Sequence, residues 1–339
     1  MNIDLSALSN AQRVLFAIPL EPLQGSRFQP TGFPSLGAAT FQTAEGTSLL
    51  VESPQSTANR MEVTVWDEVN HDLKPELSGL SHVRVSRKGA FLTDSILESH
   101  RLNSPYVLNA KAGGKLFFDV LGDRLNAFET GPIDRTALAQ VLLELDSGSL
   151  IHGLFLSANI NKRTLSGGRL RVARALSAFI EADGVRIAAS GGVKNDHVNP
   201  SGDAKSGFGN VPFARDEFTA QRITLYVNLD LAQIRGYGLG EDTERLLILL
   251  ALYKLRALVE GGLRLRTACD LQVATATISA TSPEDFLLPA LDTLVTALTP
   301  AIKAVQSRMS VTEVSYNDEI KKAKTKTEEE ADDETNAEV

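Results

Sequence analysis

Five small polar or basic side chains lie where an apolar segment meets an amphipathic one, in "LLVESPQSTANRME" (49–62). Their hydroxyl, amide and guanidinium groups can form hydrogen bonds in either of two roles. They can cap the start of a helix, or they can hold a ligand against the first backbone N–H groups, which have no intrahelical partner. The five residues are Ser53, Gln55, Ser56, Asn59 and Arg60.

The helix that positions these side chains is predicted from Ser53 to about Asn70. Ser53 has the character of an N-cap, and Pro54 is favoured at the first helical position. At 100° per residue, one arc of this helix is apolar and is expected to face the core. The arc consists of Ala58, Met61, Val65 and Val69, and the opposite side of the first turns carries Gln55, Ser56, Asn59 and Arg60.

A basic stretch, "NINKRTLSGGRLRVAR" (159–174), is the second candidate site. Arg169 and Arg171 alternate, so on a strand they would point to one face. Guanidinium forks beside a Gly-Gly turn suit phosphate oxygens. The alternative is a solvated edge strand that uses charge to prevent aggregation. Between Asp146 and Glu181 there is no acid, and the bases are Lys162, Arg163, Arg169, Arg171 and Arg174.

Two further segments allow both a functional and an ordinary interpretation. The glycine-rich segment 191–212 is either a mobile surface loop or a finger that closes over an extended ligand, with Phe208 available for base stacking. Arg264 and Arg266 follow a predicted helix. They either favour the dipole at its C-terminus or extend the basic surface.

The order of predicted elements indicates an α+β fold. Strand, helix, strand, strand, helix, strand is the split βαβ, or ferredoxin-like, plan. Within "RALSAFIEADGVRIAAS" (174–190), the pair Asp183-Gly184 predicts a hairpin turn. Insertions are expected at 71–149 and 161–220. The six segments are 13–20, 54–70, 150–158, 221–231, 241–260 and 267–278.

Composition excludes several classes of protein and leaves others open. The net charge is −8, but seven acids lie in the last thirteen residues, so the body is near neutral. The tail 318–339 is expected to be disordered because it is too polar to form a core. It is interpreted as a solubilising terminus, the alternative being an acidic mimic of a nucleic-acid strand. The apolar runs are too short to span a membrane, no secretory signal is evident, and Cys269 is the single cysteine, so the cytoplasm is the expected compartment.

Signals for an enzyme are weak. The sequence has no Walker A motif, no dinucleotide-binding glycine motif after a strand and no nucleophile elbow. Its five histidines show no metal-ligand spacing. Neither a cofactor nor a metal is therefore expected.

Several long segments resemble one protein family. Read together, they are similar to the RAMP-superfamily backbone subunit of type I-G (formerly I-U) CRISPR effector complexes, over roughly residues 10–280. The segments are "LQGSRFQPTGFPSLGAA", "LLVESPQSTANRME", "ALSAFIEADGV", "SGGVKND", "GFGNVPF", "LDLAQIRGYGL" and "GLRLRTACDL".

The resemblance implies a modified RRM-like, ferredoxin-like palm with inserted finger- and thumb-like subdomains. Such a subunit polymerises along a CRISPR RNA, and the guide then pairs with target DNA. The implied partners are the guide RNA, further copies of the chain, the large subunit, a guide-end-binding or processing subunit, and a separate helicase-nuclease that binds transiently. The resemblance implies no catalysis by this chain.

The resemblance also implies an RNA-contacting set. Relatives open the first palm helix with a Ser-Gln-Ser stretch and basic residues, a place filled here by Pro54, Gln55 and Ser56. Asn59 and Glu62 stand where relatives often carry bases, so polar hydrogen bonding is expected to carry more of the contact than charge does. The full predicted set is Gln24, Arg27, Ser53, Gln55, Ser56, Asn59, Arg60, Lys162, Arg163, Arg169, Arg171, Arg174, Lys194, Asn195, Phe208, Asn210, Arg264 and Arg266.

Two other functions stay open at the level of sequence. Some backbone subunits of other CRISPR types cut RNA with a loop aspartate, and Asp196 or Asp203 would be the candidate here. A metal-dependent RNA endonuclease is therefore one alternative. A module that assembles with other proteins and forms filaments without RNA is the other.

Overall fold

The computed structural model describes residues 3–33, 37–128 and 132–317 and shows an α+β protein, as predicted. The predicted disordered tail, 318–339, lies outside the described residues. The strands, in chain order, are β1 (Arg13–Pro22), β2 (Gly32–Phe33), β3 (Gly37–Ala38), β4 (Thr40–Thr43), β5 (Gly46–Glu52), β6 (Trp66–Asp67), β7 (Asp72–Leu73), β8 (His82–Arg87), β9 (Ala90–Asp94), β10 (Lys111–Ala112), β11 (Lys115–Leu116), β12 (Leu154–Leu156), β13 (Leu170–Val172), β14 (Leu176–Asp183), β15 (Arg186–Lys194), β16 (Val211–Thr219), β17 (Arg222–Asp230), β18 (Leu263–Arg266), β19 (Cys269–Val273) and β20 (Val311–Ser315).

The helices cover the strands and connect them. They are α1 (Pro54–Val63), α2 (Pro105–Leu108), α3 (Phe117–Arg124), α4 (Arg135–Leu145), α5 (Ser147–His152), α6 (Leu231–Gly236), α7 (Glu241–Glu260) and α8 (Leu291–Val305).

The main sheet contains the split βαβ motif. Its seven strands lie in the order β18-β19-β1-β17-β14-β5-β4, and every neighbouring pair is antiparallel. Along the chain, β1, α1, β14, β17, α7 and β19 follow the pattern strand, helix, strand, strand, helix, strand. In β1, alternate residues such as Val14, Phe16 and Ile18 are buried, because side chains of a strand point to its two faces in turn.

The second palm strand differs from the prediction. The segment 150–158 was expected to supply it, but β14 lies in that place, and 150–158 contains the end of α5 and the short β12. A brief apolar run does not distinguish a strand from a buried helix. Gly153 separates the two elements with a φ of 80°, and a Cβ there would lie 2.9 Å from the carbonyl oxygen of Val172.

The predicted hairpin at Asp183-Gly184 is also wrong. Asp183 pairs with Arg222, and Arg186 pairs with Thr219, so β14 continues into β15 and β16 returns into β17. Gly184, at a φ of 59°, interrupts the strand without reversing it. β15 and β16 form a two-stranded ribbon that pairs with no other strand of the described chain. The segment predicted as a loop, 191–212, is thus partly strand, and the ribbon tip is residues 195–210.

Helix α1 is shorter than predicted. It ends at Val63, after which Asp67 accepts backbone N–H groups of Val69 and Asn70 in a turn that joins β6 to β7. Val69 is 88% exposed, so its predicted place in the core is wrong. Ala58, Met61 and Val65 are buried as expected, and α1 contacts β14 and α7.

Helix α7 runs through the core. Every residue from Leu246 to Leu255 is buried, including Lys254. A second sheet, in the order β11-β10-β20-β8-β9, is built mainly from the 71–149 segment, with β20 contributed from the far end of the described chain. Within the described ranges, the helices are too short or too polar to cross a lipid bilayer.

Candidate nucleic-acid interface

The start of α1 has the predicted cap. The Ser53 hydroxyl accepts the backbone N–H of Ser56 at 3.2 Å, and Pro54 occupies the first turn. Pro54 has no backbone N–H and Ser53 binds that of Ser56, so the Gln55 N–H is the donor left at the positive end of the helix dipole.

A buried carboxylate organises the basic residues beside this cap. Glu52 is 1% exposed, and it accepts the Ser56 hydroxyl, a 2.8 Å hydrogen bond from Arg60 Nε and a hydrogen bond from Arg266 Nη2. Arg60 also donates to the carbonyl oxygen of Leu265 at 2.5 Å. The predicted outward presentation of Ser56 and Arg60, opposite the apolar arc of α1, is therefore only partial, because both are half-buried and bind Glu52.

Gln55 and Asn59 do face outward, and they connect α1 to the basic stretch. Gln55 Nε2 donates to Asn59 Oδ1 at 3.0 Å, and Gln55 Oε1 accepts a hydrogen bond from Arg174 Nη2. Arg174 is half-buried, and burial lowers the pKa of its guanidinium. Among the described residues, only Nη2 of Arg174 has an acceptor; Nε is buried without one, which leaves Nη1 for a ligand.

An open cleft of about 930 Å³ lies beside these residues. None of the described residues that line it is Asp or Glu. Arg135 and Arg171 are exposed there, and neither has an ion-pair or hydrogen-bond partner in the described chain. The cleft brings together three predicted site residues, Gln55, Arg171 and Arg174. An acid-free cleft with unpaired guanidinium groups suits a polyanion.

Sequence reasoning missed the other residues that line this cleft, among them His100, Arg135 and Phe155. Arg135 is the first residue of α4, after the Asp134 cap, and Phe155 is the middle residue of β12. No local pattern marks them, because each belongs to a different segment and the segments meet only in the folded chain.

A cluster of buried ionisable groups lies under the cleft. Arg101 Nε and Nη2 donate to the two carboxylate oxygens of Glu62 at 2.5 and 2.6 Å. Burial lowers the pKa of Lys254 to about 8, and Arg101 acts in the same direction. Burial also lowers the pKa of His152 well below its ordinary value and raises the pKa of Asp146. The floor of the cleft is therefore fixed by paired charges and a neutral imidazole.

The rest of the basic stretch lies apart from the cleft. Arg163 Nη2 donates to Asp119 at 2.7 Å, and its guanidinium lies 5.6 and 5.1 Å from the ring centres of Phe118 and Phe128. Lys162 and Arg169 are exposed. Arg169 precedes β13, so the predicted strand face shared by Arg169 and Arg171 is not formed.

The end of β15 and the ribbon tip carry four predicted residues. Lys194, Asn195 and Phe208 are exposed, while Asn210 Oδ1 accepts the backbone N–H of Asp196 at 2.7 Å. Asp196 in turn accepts three backbone N–H groups, and these bonds hold the pKa of its carboxyl below the usual value. Within the described ranges, no group of three His, Cys, Asp or Glu residues could hold a metal ion.

Three further predicted residues lie outside the large cleft. Gln24 is exposed, and Arg27 lies 3.6 Å from Glu217 at the base of the ribbon. Arg264 is exposed on β18 and lines a smaller cleft of about 290 Å³ with Arg60 and Lys74.

The ferredoxin-like order of strands and an acid-free basic cleft define the chain as an α+β protein with a surface suited to nucleic acid. Residues 14–187, just over half of the chain, match the family model "CRISPR-associated protein GSU0053", and the chain belongs to this family. This confirms the resemblance to CRISPR-associated proteins.

The chain is also similar to two solved structures at low sequence identity. A chain of a "CRISPR RNA-guided surveillance complex, pre-nicking" is 13% identical, with a TM-score of 0.36 over 77% of this chain and 75% of that chain. Csc2 of Thermofilum pendens is 10% identical, with a TM-score of 0.32 over 90% of this chain and 82% of that chain. No curated protein matches the sequence.

Proposed function

We propose that this protein is a guide-RNA-binding backbone subunit of a type I-G CRISPR effector complex. Several copies assemble along one CRISPR RNA and present it for pairing with target DNA. The observation that carries the proposal is the acid-free cleft that Arg135, Arg171 and Arg174 line together with Gln55 of α1. Membership of a CRISPR-associated family supports it.

The chemistry of the cleft suits the backbone of an RNA strand. Guanidinium groups and helix N-terminal N–H groups bind phosphate oxygens and fix the position of a strand without reading its sequence. Specificity then belongs to base pairing by the guide. A near-neutral body is compatible with this role, because the strand needs only a local basic path.

We include the ribbon in the proposed RNA path. Lys194 and Asn195 end β15, and Phe208 is 56% exposed at the tip. Asp196 holds the turns of the tip through backbone N–H groups, so the tip presents a defined surface to a strand. Lys162, Arg169 and Arg264 are proposed as outer phosphate contacts because they are exposed and basic.

The test is co-purification of guide RNA with the complex. The double variant Arg171→Glu, Arg174→Glu reverses the charge of the cleft, and we expect it to recover little or no RNA of defined length. A matched control reverses two exposed bases elsewhere, Arg13→Glu and Lys303→Glu, and is expected to keep its RNA. Unchanged RNA in the cleft variant would overturn the proposed path.

Arg60 is a poor choice for this test. Arg60→Glu would place a second carboxylate against the buried Glu52, so loss of RNA would be confounded with loss of folding. Protein filaments that persist after nuclease treatment, with no RNA in the purified complex, would favour an assembly module instead.

A further inference from the structure

A phenyl ring, that of Phe155, is exposed in the basic cleft. Phe155 is 52% exposed, although Leu154 and Leu156 on either side are buried. Alternate residues of a strand point to opposite faces, so Phe155 belongs to the outer face of β12. In a strand with one buried face, the solvent-facing positions normally carry polar side chains.

Phe155 is paired with a basic residue. In the β12–β13 ladder, Phe155 is directly opposite Arg171, and both line the cleft. Residues opposite each other in a two-stranded ladder lie on the same face, about 4.5–5.5 Å apart at Cβ. A flat apolar surface and an unpaired guanidinium group thus lie side by side. The two suit the two parts of a nucleotide, its base and its phosphate.

The cleft is large enough for such a ligand. Its volume of about 930 Å³ falls in the range of roughly 300–1,000 Å³ that is common for ligand sites. Arg174 lines one side, with Nη1 unbound among the described residues, and Arg135 of α4 also lines the cleft. The described lining contains no carboxylate that would repel a phosphate. A protein partner would leave these guanidinium groups buried and unpaired unless it were strongly acidic.

We infer that Phe155 is a base-stacking residue, and that the cleft holds one nucleotide of single-stranded RNA with its base on Phe155 and its phosphate at Arg171 and Arg174. This inference rests on the proposed function and adds a contact with a base to the contacts with the backbone. Stacking on an aromatic ring tolerates any base, since every base has a π face. The residue therefore contributes affinity and position, while the sequence is read by pairing.

The experiment measures stacking directly. The full chain, freed of RNA by nuclease treatment, is titrated with a short single-stranded RNA that carries 2-aminopurine at each position in turn. Fluorescence of 2-aminopurine falls when its ring stacks, so the wild-type protein is expected to quench it at a defined position. In Phe155→Ala this quenching is lost and binding weakens by about 5- to 150-fold. Phe155→Tyr is expected to keep the quenching and the affinity of the wild type, because tyrosine also has an aromatic ring.

The controls separate this inference from the proposed function. Phe41→Ala removes a ring that is 38% exposed on the edge strand β4, and it is expected to bind and quench as the wild type does. If Phe155→Ala quenches and binds normally, the inference is overturned and the proposed function stands. If wild-type protein binds RNA without quenching at any position, the inference is also overturned, and Phe155 belongs to a protein contact. If Arg171→Glu with Arg174→Glu binds RNA normally, both proposals fail.

Discussion

The buried carboxylate of Glu52 accepts a 2.8 Å hydrogen bond from Nε of Arg60, which comes from the second turn of the helix that follows it. Arg266, from β18, binds the same carboxylate. One acidic group at the end of β5 therefore joins α1 to the far edge of the main sheet. Two arginines that the sequence marks as RNA contacts are thus partly structural, and only the remaining N–H groups are available to a ligand.

Removing Glu52 is expected to destabilise the fold. In Glu52→Ala, Arg60 and Arg266 lose their shared acceptor, and a hydrogen bond to a charged group contributes about 1.5–3 kcal/mol. The expected fall in the free energy of unfolding is of this size, measured by urea denaturation. Glu68→Ala, in an exposed turn, is the control and should change stability by less than about 0.5 kcal/mol. Equal midpoints for the two variants would contradict a structural role for Glu52.

The cleft arginines are expected to set part of the salt dependence of RNA binding. For single strands, the slope of log K against log salt falls by about 0.7 for each phosphate group that the protein no longer neutralises. Arg171→Gln with Arg174→Gln should therefore reduce the slope by roughly 1.4. Fluorescence anisotropy at several salt concentrations measures it. The exposed pair Arg13→Gln, Lys303→Gln should leave the slope unchanged, and an unaltered slope in the cleft variant would exclude phosphate binding by these two arginines.

Lys254 is expected to make stability increase with pH above about 8. Its pKa is about 8 in the folded protein and about 10.4 when unfolded. Between these values the unfolded chain binds more protons, so the free energy of unfolding rises with pH. Lys254→Met removes this contribution. Thermal denaturation from pH 7 to 9.5 should show wild-type stability rising relative to the variant, whereas parallel curves would show that Lys254 keeps its ordinary pKa.

Complementary RNA is expected to survive incubation with the complex and magnesium. Asp203 caps its own turn by accepting the backbone N–H of Lys205 and the Ser206 hydroxyl, just as Asp196 holds the neighbouring backbone. Both carboxylates of the endonuclease hypothesis are thus engaged in the ribbon tip. Gel analysis of labelled RNA is the measurement. Regularly spaced fragments that disappear in Asp196→Asn or Asp203→Asn would establish the nuclease instead.

The elements that the sequence predicts well are those that depend on interactions between neighbouring residues. Ser53 and Pro54 start α1 because an N-cap and its proline need only their own neighbours. The long apolar run of α7 and the alternating β1 are likewise readable from periodicity. Local patterns failed where an element is short, as at 150–158, or where pairing continues through a glycine, as at Gly184.

The sequence by itself therefore determined the α+β class, the main helices and the basic character of 159–174. Only the tertiary structure decided which basic groups are free. Glu52 binds Arg60 and Arg266, Asp119 binds Arg163, and Arg171 remains unpaired among the described residues. These pairings join segments up to about two hundred residues apart. They depend on strand order and register, which cannot be read from a short stretch of sequence.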